Sequence, residues 1–94
     1  PRCVVTGDFN VATGCPVYDL FCSELDLTDT AVEVPGEDIG TFHRYKGPKA
    51  GEPRIDWILT TSGLRTVSTR IDTFAVDGKY PSDHFPVEAV LDFT

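Results

Sequence analysis

The chain has 94 residues, 40% of them hydrophobic and 24% charged, which makes it one globular unit at most. Fifteen Asp and Glu against eight Lys and Arg give a net charge of -7, which argues against an electrostatic nucleic-acid binder. The three cysteines, Cys3, Cys15 and Cys22, cannot all pair within the chain. They lack the spacing of a structural zinc site, and no apolar run approaches the roughly 18 residues of a membrane span.

Residues 3–6 form a short apolar, β-branched run that reads as a buried strand, with Cys3 as a small buried hydrophobe. Gly7-Asp8-Phe9-Asn10 ends it. In extended chain Asp8 and Asn10 share a face and Phe9 turns to the core. Pro16 suits the first turn of a helix, and Val17, Leu20, Phe21 and Leu25 recur at helical spacing, which predicts a helix over 16–25. Thr28 is placed to cap another helical turn through Val32. After a Pro/Gly/Asp loop, 41–45 reads as a strand, and a Gly/Pro/Lys loop follows. Residues 54–60 read as the central strand, with Ile55, Trp57 and Leu59 on one face and Arg54, Asp56 and Ile58 on the other. Residues 65–76 form a further strand with Val67, Thr69 and Ile71 alternating. Residues 85–93 form the last, with Val87, Ala89, Leu91 and Phe93 facing inward. Hairpin-length connections favour antiparallel neighbours. The expected fold class is α+β: a mixed, mostly antiparallel sheet with one or two flanking helices.

Three polar clusters fall on or beside strand ends: Gly7-Asp8-Phe9-Asn10, Arg54-Ile55-Asp56-Trp57-Ile58 and Ser82-Asp83-His84-Phe85-Pro86. Taken singly, each has an ordinary explanation. Asp and Asn end strands in polar turns for backbone reasons, and an Asp-His pair between two prolines is a solvated turn. Asp56 in the middle of an apolar strand is costly without a partner. Its candidates are Arg54, two residues away on the same face, and His84. Ser82 reads as a turn hydroxyl, because no Gly-x-Ser-x-Gly elbow is present. His43, Lys46 and Lys49 could face an anionic substrate, although loop lysines are usually only solvated.

Together and in this order, and with Thr41-Phe42-His43 ahead of the Arg-Ile-Asp strand, these motifs resemble the C-terminal half of the endonuclease/exonuclease/phosphatase superfamily. The resemblance covers nearly the whole chain and implies half of a four-layer α/β sandwich. It also implies hydrolysis of a phosphodiester or phosphomonoester with Mg2+ or Mn2+ as cofactor. Asp8 then activates water, Asn10 contacts phosphate, Asp56 orients His84, His84 stabilises the phosphoryl oxygens, and Asp83 binds or tunes the cation. Thr41 and His43 would line the substrate cleft. The partners implied are a phosphate-ester substrate (nucleic acid, nucleotide, inositol phosphate or phospholipid head group) and a missing N-terminal half.

That missing half would carry the metal-binding Glu, because Glu24, Glu33, Glu37, Glu52 and Glu88 lie in segments that do not match the family's motif. A strand-like start without Met agrees with a piece of a longer domain, inactive alone, whose uncovered apolar sheet favours self-association. The competing reading is a non-catalytic binding scaffold of the same fold. A small Asp/His metal module is a third, and the ligand spacing does not support it. No residue pattern assigns a compartment.

Overall fold

The computed structural model describes residues 2–94. Five strands and two short helices follow one another as β1 (Val4–Asp8), α1 (Pro16–Asp19), β2 (Thr28–Asp29), α2 (Thr30–Glu33), β3 (Asp56–Thr60), β4 (Leu64–Ile71) and β5 (Val87–Phe93). One sheet has the order β1-β3-β2 and a two-stranded sheet pairs β4 with β5, all antiparallel. This is the expected α+β class. The strands divide into two ladders where the sequence suggested one layer. The molecule is a slab of 43 × 28 × 18 Å, so much of each sheet has no second layer over it.

β3 is the centre, and its alternation sets the core. Trp57 and Leu59 are fully buried on one face, with Leu27 against them. Phe9 stacks on Trp57 at 4.3 Å between centroids, and Tyr18 meets it edge-on at 5.0 Å. Burying such rings is the largest apolar contribution available to a domain this small. Pro16 opens α1, and Cys15 caps it by accepting from the Tyr18 amide. The helix continues as a π-turn over Leu20–Glu24, closed by the Leu25 amide on the Leu20 carbonyl at 3.3 Å. The predicted helix over 16–25 is therefore present, with its second half wound wider. No helix among the described residues is long and apolar enough to cross a membrane.

Several expectations are corrected. Cys3 is exposed, because β1 is an edge strand and only Val5 of it is half-buried. Asp29, not Thr28, caps α2, its carboxylate accepting from the Ala31 amide at 2.9 Å, while Thr28 and Asp29 pair with β3. Residues 41–45 are not a strand. Phe42 makes a lone bridge to His84, and Arg44 and Tyr45 then take left-handed φ values of 53° and 62°, which turn the chain away. β3 begins at Asp56 rather than Arg54. β4 stops at Ile71, and a bulge between Thr66 and Ser68 leaves Val67 exposed, breaking the predicted alternation there. β5 begins at Val87, and Phe93, expected inward, is 68% exposed.

Candidate active site

The site forms where the ends of β1 and β3 meet the turn that leads into β5. β1 and β3 pair in register, with Asp8 opposite Asp56, so two carboxylates are set at one sheet end. Asn10 follows in the left-handed region with φ 55°, a conformation that Asn tolerates better than most residues. Its amide donates to Asp8 Oδ1 at 3.0 Å, which fixes the carboxylate in an Asx turn. The Phe9 amide donates to the Ile55 carbonyl at 2.9 Å and holds this turn against β3.

His84 is positioned by its own turn and by residues 41–43. The Ser82 hydroxyl accepts from the His84 amide at 3.1 Å, the turn role expected for that serine. The His43 amide donates to the Asp83 carbonyl at 2.8 Å and the Phe85 amide to the Thr41 carbonyl at 2.7 Å, one on each side of His84. Thr41 is fully buried, and its Oγ1 accepts from the Ile55 and Asp56 amides at 3.1 and 3.2 Å. One residue thus ties the segment carrying His84 to the start of the strand carrying Asp56.

As a result, His84 Nδ1 lies 2.8 Å from Asp56 Oδ2, and Nε2 lies 3.7 Å from Asp8 Oδ2. An ionised carboxylate only accepts, so Nδ1 carries the hydrogen and Nε2 faces Asp8. The hydrogen bond that His84 Nδ1 donates to Asp56 holds the imidazole pKa above its ordinary value. Partial burial opposes this, and the charges of Asp56, Asp8 and Asp83 add to the rise. Of the candidate partners for Asp56, the structure selects His84. Arg54 instead turns to Asp29 at 2.7 Å, a buried carboxylate that also accepts from the Tyr18 hydroxyl at 2.8 Å. Sequence reasoning missed this buried triad, whose only signal was Asp29 in a capping position.

Asp8, Asp56 and His84 share one open cleft of about 520 Å3 with Thr6, Trp57, Ser82 and Pro86. A second cavity of about 330 Å3 on the other side of Arg54 and Asp56 has acids and arginines but no histidine, so it lacks a group that titrates near neutrality. Asn10 adjoins the cleft through the hydrogen bond its backbone amide donates to Asp8. Thr41 and His43 are not brought into it. Thr41 is the buried tie described above, and the buried His43 ring stacks on Phe85 at 3.9 Å.

Among the described residues, Asp8, Asp56 and His84 are the one group of acids and histidines whose ligand atoms gather, all within 4.8 Å. Asp83, expected at the metal, stands beside this group rather than in it. Carboxylate oxygens are the donors that Mg2+ and Mn2+ take, so Asp8 suits such an ion. Asp56 is engaged with His84, and one or two carboxylates leave most of an octahedral shell to other ligands.

Residues 1–84 match the endonuclease/exonuclease/phosphatase family. The chain belongs to that family. Its members include phosphatases and nucleases and are typically metal-dependent. A mannosyl-6-phosphatase from Bacteroides thetaiotaomicron superposes with a TM-score of 0.86 at 31% identity, over 98% of this chain and 38% of that one. An endonuclease/exonuclease/phosphatase family protein from Bacteroides thetaiotaomicron gives 0.83 at 30% identity, over 99% and 38%. A conserved protein of unknown function from Enterococcus faecalis V583 gives 0.83 at 32%, over 99% and 37%. The chain therefore spans under two-fifths of the length of these structures. No curated protein matches the sequence.

Proposed function

We propose that the chain is the C-terminal half of a divalent-metal-dependent phosphoric ester hydrolase, acting on a phosphomonoester or phosphodiester. The observation that carries this reading is the imidazole of His84 held between Asp56 at 2.8 Å and Asp8 at 3.7 Å in the lining of an open cleft. Hydrolysis forms a bond from water oxygen to phosphorus and breaks the bond from phosphorus to the leaving oxygen. Asp8, exposed and held by the Asn10 amide, is placed to orient the water and take its proton. His84, whose protonated form is favoured by its hydrogen bond to Asp56, donates from Nε2 to a phosphoryl oxygen or to the leaving oxygen. Asp56 acts through His84 by fixing its tautomer. Asp8, with Asp83 nearby, would contribute to holding Mg2+ or Mn2+; the ion, when bound, neutralises charge on the phosphoryl oxygens. The remaining ligands, including a Glu, would come from an N-terminal half.

The phosphatase among the similar structures makes a small phosphorylated sugar the first substrate to try. The acidic balance of the chain also weighs against a long duplex. The test is hydrolysis of p-nitrophenyl phosphate and bis(p-nitrophenyl) phosphate by the full-length protein, with Mg2+ or with EDTA. Magnesium-dependent turnover that falls at least about 100-fold in Asp8→Ala is expected. No turnover with any divalent ion would leave the binding-scaffold reading in its place, and full turnover in Asp8→Ala would overturn the role given to Asp8.

A further inference from the structure

The hydrogen bond to Asp56 fixes one atom of the His84 ring and leaves the orientation of the rest open. The second side-chain torsion of a histidine is broad, so with a bond at Nδ1 alone the ring can swing about that bond and carry Nε2 off line. The Ser82 hydroxyl does not prevent this, because it holds the backbone amide of His84 and not the imidazole. A further contact is needed to keep Nε2 at 3.7 Å from Asp8.

Phe42 supplies one. The His43 amide donates to the Asp83 carbonyl and the Phe85 amide to the Thr41 carbonyl, so Phe42 and His84 face each other between two ladder bonds. They are a non-hydrogen-bonded antiparallel pair, the kind in which opposite side chains stand closest. Their rings meet with centroids 5.0 Å apart and planes inclined at 47°, within the range in which aromatic pairs attract. The phenyl ring is itself held, with the Arg44 guanidinium over it at 5.3 Å. Thr41 and His43 on either side are buried, which anchors the backbone that carries Phe42. Phe42 is 38% exposed, so core packing does not account for it. The cleft that Asp8, Asp56 and His84 line does not include Phe42 among its walls, so the phenyl ring meets the imidazole from outside that cleft.

We propose that Phe42 is a positioning residue: its ring fixes the tilt of the His84 imidazole, which Asp56 alone leaves free, and so keeps Nε2 directed into the cleft. Phe42 touches no substrate and acts through His84. A pivoting imidazole is off line for part of the time, and that loss falls on the proton-transfer step, whereas binding by the cleft walls is unaffected. The effect on rate rests on the hydrolase reading, but the positioning itself can be read without turnover.

The experiment compares full-length wild type, Phe42→Leu, Phe42→Tyr, His84→Ala and the double variant Phe42→Leu/His84→Ala. Leucine keeps an apolar side chain and removes the ring; tyrosine restores the ring. With Mg2+ and p-nitrophenyl phosphate, Phe42→Leu should lower kcat about three- to tenfold, the scale of one aromatic pair, and leave KM within about twofold. Phe42→Tyr should stay within about twofold of wild type in both. In the His84→Ala background Phe42→Leu should cause no further loss, because residues that act as a unit are not additive. In EDTA at fixed pH, NMR of the His84 ring should show carbon-bound protons displaced by the phenyl ring current in wild type and Phe42→Tyr, and not in Phe42→Leu. Phe42→Met replaces the leucine variant, with the same expectations, should that one unfold at a lower urea concentration. An unchanged kcat in Phe42→Leu, a rise in KM alone, an equal loss in Phe42→Tyr, or the same fold-loss with and without His84 overturns the proposal. If wild type turns over no ester, the hydrolase reading fails on its own, and the NMR comparison still decides: His84 signals unaltered in Phe42→Leu overturn the positioning, and signals that move only when the ring is lost uphold it.

Discussion

Thr41→Val removes one oxygen and should disturb both stability and the active site. Thr41 is fully buried, and its Oγ1 accepts from two backbone amides, those of Ile55 and Asp56. Valine matches the shape and leaves both amides without an acceptor. Each buried donor left unpaired costs about 1–3 kcal/mol. Ile55 and Asp56 are only half-buried, so water compensates in part and a total of about 2–4 kcal/mol is expected. Thr41→Ser keeps the acceptor and loses one methyl, at about 1 kcal/mol. Urea unfolding at constant m-value measures both variants. The same clamp sets the distance between Asp56 and His84, so the imidazole of Thr41→Val, followed by NMR in EDTA, should titrate closer to the ordinary histidine value, and that of Thr41→Ser should not. A Thr41→Val protein within about 0.5 kcal/mol of wild type, or a Thr41→Ser protein equally destabilised, would refute the clamp.

Other outcomes follow from the same contacts. Asp29→Ala removes the acceptor of Arg54, Tyr18 and the Ala31 amide together and should cost about 3–5 kcal/mol by chemical unfolding, as expected for one partner of a buried ion pair. The raised pKa of His84 gives the pH dependence a definite sign: the folded state binds the proton more tightly than the unfolded chain. The stability this contributes is therefore full below about pH 6.5 and is lost as pH rises through the folded value. Unfolding of wild type minus Asp56→Asn in EDTA should show a difference that shrinks over that window; a difference growing with pH would contradict the assignment. Gly40→Ala places a Cβ 2.7 Å from the Glu52 Cβ and should lower the urea midpoint by the equivalent of about 1–3 kcal/mol. Val4, Val67, Val90 and Phe93 are each at least 46% exposed, so residues 1–94 alone should self-associate in sedimentation and show little hydrolysis. A monomeric and active fragment would refute both.

The parts legible in the sequence were those set by local pattern. β3 alternates cleanly, so Trp57 and Leu59 could be assigned to the core and Asp56 to the opposite face. Pro16 marked the helix start, and the proline-framed turn announced His84. The ordered motifs then brought Asp8, Asp56 and His84 together, and the structure does place those three at one point. What escaped depends on distance in sequence or on an environment that no pattern encodes. Arg54 finds Asp29, 25 residues away, rather than the nearer Asp56, because β2 pairs with β3 and delivers a buried carboxylate there. Thr41 and His43 read as cleft residues, yet Thr41 is spent on the backbone of β3 and His43 on an aromatic stack. Residues 41–45 have strand-like composition, and two left-handed residues override it. Cys3 has the character of a core residue but stands just ahead of β1, which is an edge strand.

The most direct test of the site is kcat for a phosphomonoester, measured with Mg2+ on full-length wild type and His84→Ala after both are shown to be folded. With His84 as the proton donor held between Asp56 and Asp8, kcat should fall about 100- to 10,000-fold. A kcat within about threefold of wild type would contradict the account, because a loss that small is far below what removing a positioned acid–base group produces.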